Sequence, residues 1–217
     1  MNALAAITEV LTPAASDDLV SLADVKGDIG VTGTEDDLYL QRRVTEMSLA
    51  AIQYMNRRLQ VEKLRDSFWP QRDPYPWQLP GGVMPLQLSR WPLTAAPTLV
   101  TEQGVALAIG VDYVADLSRG QLTRIFGYDA YPSRWDALPI IVEYAAGFDP
   151  IPLDVAAAVA RAVKAQYFAR SRDPAIKSQS VTGVYAATYL DRASAKGGLL
   201  TPDVCSALDN YRVPVVA

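Results

Sequence analysis

The chain has 217 residues, with 20 Lys and Arg against 24 Asp and Glu, one cysteine and no histidine. Without imidazole there is no Ser-His or Cys-His nucleophile pair, no histidine base tuned near neutral pH and no His-containing zinc or iron site, and a lone Cys205 forms neither an intramolecular disulfide nor a thiolate cluster. Carboxylate, lysine, tyrosine or Mg²⁺ chemistry is what remains to an enzyme, so the composition leans toward a binding or structural protein.

At 50% hydrophobic and 20% charged the chain falls in the globular range. Its most apolar stretches are broken by Asp, Arg or Pro well before the roughly 20 residues a bilayer span needs. The opening MNALAAITEVLTP carries Glu9 and no basic n-region, so it reads poorly as a signal peptide, and a cytosolic, reducing environment is the default expectation. Charge divides unevenly: net −4 over residues 1–60, −3 over 61–150 and +3 over 151–217. A mildly basic final third on an acidic body suits a complementary protein partner better than a dedicated binder of phosphate backbones; ordinary solvated surface is the other reading.

In chain order, Ser21 with Asp24 three residues on predicts a capped short helix with Leu22, Val25 and Ile29 on one face, stopped by Gly30 and Gly33. Thr34 is read as the cap of a longer helix to about residue 60, with Glu35, Asp36 and Asp37 at the positive end of its dipole. Leu40, Val44, Met47, Ala51, Met55 and Leu59 recur every three or four residues, which is an amphipathic helical stripe. Asp36 and Asp37 are the nearest approach to a metal or acid site, yet no D-x-D-x-D-G run accompanies them and helix-start electrostatics accounts for the pair.

From Leu64 the sequence becomes rich in Pro and aromatics, with Phe68, Trp69, Tyr75, Trp77 and Trp91. So many donor-less residues argue against a helix or central strand, leaving a loop laid over its own core or one offered to a neighbouring subunit. Short strands follow at 98–101, 105–108, 111–116, 120–126 and 138–145, with a turn-rich pause at GYDAYPSRW. Their glycines lack the strand and helix context of a phosphate loop.

Pro152 opens another helix, on which Val155, Val159, Val163 and Tyr167 make an apolar face expected to pack on the 34–60 stripe, before Asp173-Pro174 ends it. The Ser/Thr/Ala/Gly-rich stretch that follows is expected to be extended or partly disordered when alone. Thr201, Pro202 and Asp203 then cap a final helix with Val204, Leu208 and Tyr211 on one face, too short to stand without something to dock against. Cys205 in it reads as a small buried thiol.

The order and spacing of several segments carry a resemblance over about Ser21 to Tyr211: S-L-A-D-V-K with D-D-L-Y-L, P-L-x-x-x-W-P, V-D-Y-V-A-D-x-x-x-G-Q-L, I-I-V-E-Y-A-A-G-F-D-P-I-P-L-D-V-A-A-A-V, and R-D-P-A-I-K-S-Q-S-V-T-G-V-Y-A-A-T-Y-L. Together they resemble the head-to-tail connector (adaptor) family of long-tailed bacteriophages and gene transfer agents. The resemblance implies a structural virion protein, made in the host cytoplasm and sited in the neck. Such proteins form a ring, typically of twelve, under the portal protein, receive a stopper or tail-completion protein on the opposite face, and let DNA pass through the lumen without specific binding. It implies no catalysis, cofactor, metal or membrane.

The expected architecture is α+β: a small helical bundle with an inserted antiparallel β unit and an extended tail ending in a short helix. Its parts are 1–63 (bundle), 64–148 (Pro/aromatic loop and β insertion), 149–173 (bundle helix) and 174–217 (tail). Val184, Tyr185, Tyr189, Val204, Leu208 and Tyr211 are the candidate portal contacts, and Trp69, Tyr75 and Trp77 the inter-subunit candidates. Truncation after Pro174 is expected to leave the core folded. A tail-terminator or stopper protein is the alternative within the neck. A distant one is a His-free carboxylate or Mg²⁺ enzyme using Asp36, Asp37 or Glu143.

Overall fold

The computed structural model describes residues 6–69, 85–127, 131–135, 139–170, 178–181, 185–188 and 199–214. They fall into two compact units, one of helices (16–59 and 150–217) and one of sheets (1–15 and 60–149).

In the helical unit, α1 (Leu22–Ile29) starts as its sequence dictates: the Asp24 amide donates to Ser21 Oγ at 3.1 Å, and Gly30 ends it at φ +81°. Upstream, the Leu19 amide donates to the buried Ser48 Oγ, and Asp18 accepts from Gln41 and Thr45, which fastens the chain entry onto α2 (Asp37–Met55). The expected α2 stripe is fully buried. Its cap is Asp36 rather than Thr34, and the helix ends at Met55 on a left-handed Asn56 rather than near residue 60. Helix α3 (Leu153–Ala169) buries Val155, Val159 and Val163 and packs on α2, as their pattern predicts. Pro152 sits one position earlier than expected, at the cap. Two strands, β10 (Ser178–Val181) and β11 (Tyr185–Thr188), form an antiparallel hairpin within the stretch expected to be extended or partly disordered. Helix α4 (Pro202–Leu208) and the 3-10 turn Asp209–Tyr211 then pack back on α2 and α3.

The sheet unit begins with β1 (Ala6–Thr12), which pairs with β2 (Glu62–Phe68). The described residues 6–12 therefore pair with the sheets, where a helical part was expected over 1–63. Along β2, inward Leu64 and Phe68 alternate with inward Glu62 and Asp66, and those two buried carboxylates hide the strand's apolar period. Strands β3 (Leu86–Gln87), β4 (Leu99–Glu102), β5 (Val105–Ala106), β6 (Tyr113–Asp116), β7 (Gln121–Phe126), β8 (Tyr131–Ser133) and β9 (Ile140–Ala146) complete the unit. One sheet runs β1-β2-β9-β4-β5 and the other β3-β7-β6 with β8 on β7, all antiparallel. The β4–β5 hairpin turns on Gln103 and Gly104, both at positive φ, as a two-residue hairpin of that hand requires. Strand β8 lies in the segment read as a pause.

The two sheets share one core, in which Phe68, Leu88, Tyr113, Leu122, Val142 and Tyr144 are among the buried side chains. Arg124 of β7 ties them together: its Nε donates to Glu102 Oε2 on β4 at 3.3 Å, while Nη1 donates to the Asp112 carbonyl at 2.5 Å. A buried polar group needs such partners, because leaving one unpaired costs about 1–3 kcal/mol. Asp66 is served the same way, accepting from the Tyr144 hydroxyl and the Ser89 amide, each at 2.8 Å, which pins the 88–92 turn to the sheet.

Candidate functional site

In the sheet unit the clearest exposed element is β1. It is an edge strand whose one strand partner among the described residues is β2, with Thr8 Oγ1 also donating to Ser89 Oγ at 2.7 Å, and residues 7–12 are exposed on both faces, including Ile7, Val10 and Leu11. Most edge strands are shielded or charged, since an open edge is a template for pairing. Across the sheet from it runs one charged row: Glu9, Arg65 and Glu143 face one another in register. Arg65 donates to Glu143 Oε1 through Nε and Nη2 at 2.9 and 2.7 Å and to Glu9 Oε2 at 3.0 Å. That row holds two carboxylates for one cation and ends at the open edge. Glu143 thus faces outward, as its strand alternation predicts. Exposed Trp69 directly follows Phe68, the last residue of β2, which pairs with Ala6 of β1 on one side and Ile140 of β9 on the other.

The second exposed feature is a corner of the smaller sheet. Phe126 and Tyr131 are cross-strand partners on β7 and β8, and are 76% and 67% exposed. Ile109 and Val111, also exposed, flank a tight turn held against that end of β7 by the Ile125 amide donating to Asp112 O at 2.9 Å. Exposed Arg134 follows β8.

In the helical unit the acidic helix start is occupied by cations. Lys26 Nζ donates to Asp37 Oδ1 at 2.6 Å. Arg170 Nη1 and the Tyr167 hydroxyl each donate to Asp36 at 2.6 Å, and the guanidinium lies over the Tyr167 and Tyr39 rings at 4.5 and 5.3 Å. The Arg170 hydrogen bond holds the Asp36 carboxyl below the usual carboxylate range, and the Asp36 bond pushes the Tyr167 hydroxyl up. Asp36, Asp37 and Glu143, the carboxylates open to a catalytic role, are each partnered by a basic side chain. Among the described residues no group of three or more His, Cys, Asp or Glu is placed to hold a metal ion, and no helix is long and apolar enough to cross a membrane.

The tail residues divide. Val204 and Leu208 are 1% and 0% exposed, so the apolar face of α4 is spent inside the helical unit and presents no docking surface. Tyr211 donates to both Asp154 carboxylate oxygens at 2.9 and 3.0 Å, and Val213 N donates to Met55 O. Tyr54 donates to Asp209 at 2.7 Å, which pushes its hydroxyl up to about 12. Burial pushes the Cys205 thiol up as well. Truncation after Pro174 would thus strip Leu200, Val204 and Leu208 from the core, so the expectation that the remainder stays intact does not hold. Tyr75, Trp77, Val184 and Tyr189 lie outside the described residues, as does the side chain of Tyr185. The β1 edge and the Phe126–Tyr131 corner were not singled out from sequence; the signal for the corner was the aromatic pair Phe126 and Tyr131 on either side of GYDA.

No protein-family model and no curated protein matches the sequence. Among solved structures the fold is similar to a chain of the neck of an empty GTA particle computed with C6 symmetry, at 17% identity and TM-score 0.51. It is likewise similar to a chain of the neck of a native GTA particle computed with C12 symmetry, at 16% identity and TM-score 0.50, and to one from the virion of a native gene transfer agent particle, at 16% and 0.51. Each alignment covers 97% of this chain and 97% of that one. The fold class is therefore α+β of the kind seen in those neck chains.

Proposed function

We propose that this chain is a structural neck protein of a phage-like particle, forming a ring at the junction of capsid and tail through which DNA passes. The observation that carries this is the whole-chain fold likeness, both units included, to chains of GTA particle necks computed with C6 and C12 symmetry. The partnered carboxylates and the open β edge support a role made of contacts rather than catalysis. Within the neck we assign the chain to the adaptor position against the portal protein, with a stopper or tail-completion protein on the opposite face. The helical unit supports this over a tail-terminator or stopper, proteins expected to be dominated by strands. Portal contact is assigned to the tail through Val184, Tyr185 and Tyr189, since Val204 and Leu208 are internal. Deleting the gene tests the reading: DNA-filled heads and free tails should accumulate unjoined. Normal joined particles from the deletion would overturn it.

A further inference from the structure

We propose that neighbouring copies in the ring are joined by exchange of strand β1: Ala6–Thr12 of each copy leaves its own β2 and pairs, in the same register, with β2 of the next. The proposal deepens the ring reading above and rests on it. A ring closes through two different surfaces that fit each other, repeated from copy to copy. The surfaces used by exchange already fit, since they are β1 and the β2 edge, paired antiparallel from Ala6 with Phe68 to Thr12 with Lys63. Passing the strand to a neighbour reproduces its ladder and its side-chain contacts, Glu9 to Arg65 and Thr8 to Ser89, and requires no new one.

Two features make β1 the element to pass. It gives its own copy no core side chain between residues 7 and 12, all of which are exposed, and the buried cluster of the sheet unit is drawn from β2 onward. Withdrawing the strand takes nothing from that cluster, and Arg65 keeps its bonds to Glu143. Behind the strand lies a hinge. Pro13 holds Thr12 extended and has no N–H with which to turn the chain back, and among the described residues no hydrogen bond ties down Pro13, Ala14 or Ala15. Anchorage begins just beyond, where Asp17 pairs with Arg58 and Asp18 accepts from Gln41 and Thr45. From Thr12 to Asp17 the chain spans at most about 17 Å, so an exchanged strand reaches only a copy packed directly alongside, as ring neighbours are. Closed and exchanged forms hold the same contacts, so the balance falls to the hinge and to effective concentration, which is on the order of millimolar between tethered neighbours. Exchange therefore belongs to the assembled ring and the closed strand to the free chain.

The test uses the full chain with Cys205→Ser and a thiol on each member of a register pair, Ile7→Cys with Ser67→Cys, or Thr12→Cys with Lys63→Cys as a second pair. Directly opposed strand positions lie within disulfide reach. Oxidised in assembled rings or purified particles, the double variant should give a ladder of covalent oligomers. Rings assembled from a mixture of the two single variants should give covalent dimers, which a strand paired within its own copy cannot form because no chain then carries both thiols. Oxidised as the free chain, the double variant is locked closed and should lose ring assembly until a reductant restores it. Rings whose double variant runs as internally linked monomer, with no dimers from the mixture, would overturn exchange while leaving the ring reading standing. So would rings in which neither pair forms a disulfide, or covalent dimers and nothing longer from the double variant, which would mean a reciprocal exchange between two copies. A chain absent from any ring, in particles as well as in solution, would overturn the ring reading and exchange with it.

Discussion

Asp36 and Arg170, 134 residues apart, close the N-terminal end of α2 onto the C-terminal end of α3, with Nη1 to Oδ1 at 2.6 Å and Nη2 to Oδ2 at 3.3 Å. The contact stations the last turn of α3, where the tail departs, against a helix start that already favours a negative charge. Because Asp36 titrates below its ordinary value, its contribution is present above pH 4 or so and fades as pH falls through the lowered value. Asp36→Asn should therefore lower Tm slightly at pH 7, and the difference from the parent should shrink toward pH 3. Thermal melts over that range check it; a difference that grows on acidification would contradict the assignment.

The buried pair of the sheet unit is the more costly to disturb. Tyr144→Phe removes the hydroxyl that donates to buried Asp66, whose other oxygen already has no hydrogen-bond partner among the described residues. A loss of about 1–3 kcal/mol in urea unfolding is expected. No change would mean the carboxylate is satisfied without the tyrosine.

Gly147 and Gly104 both have positive φ but differ in surroundings. A Cβ at Gly147 would stand 2.5 Å from the Gln60 carbonyl oxygen, a backbone atom that cannot swing aside, whereas one at Gly104 meets nothing within 4 Å. Gly104→Ala should cost about 1–2 kcal/mol, the left-handed penalty alone. Gly147→Ala should cost clearly more, read as soluble yield and Tm of the two variants side by side.

Leu208→Ala should cost about 2–5 kcal/mol, the range for a truncated core leucine. A docking face awaiting a partner would lose almost nothing in the isolated chain. Chemical denaturation of the free protein separates the two.

The helices were legible because each spends one face on one core: the α2 stripe from Leu40 to Leu59 and the Ser21 cap are local patterns with local causes. Three features were not. Strand β2 places Glu62 and Asp66 at inward positions, which breaks the alternation a strand is read by, and their partners come from Arg90 and Tyr144 far along the chain. Strand β1 is exposed on both faces and so has no alternation to read. The short helix α4 was correctly marked as needing a surface, but a sequence does not say whether that surface is the chain's own or another's; here Leu208 lies in its own core. The exposed β1 edge and the Phe126–Tyr131 corner were not legible, because an edge becomes visible only when strand order is known; of the residues near them the aromatic-rich composition marked Trp69 alone.

The most direct measurement of the central claim is a cryo-EM reconstruction of the capsid vertex in particles assembled with this chain. A closed ring of identical copies between portal and tail, each showing both units, is the expected result. A vertex in which this chain is absent from the ring around the channel would contradict it.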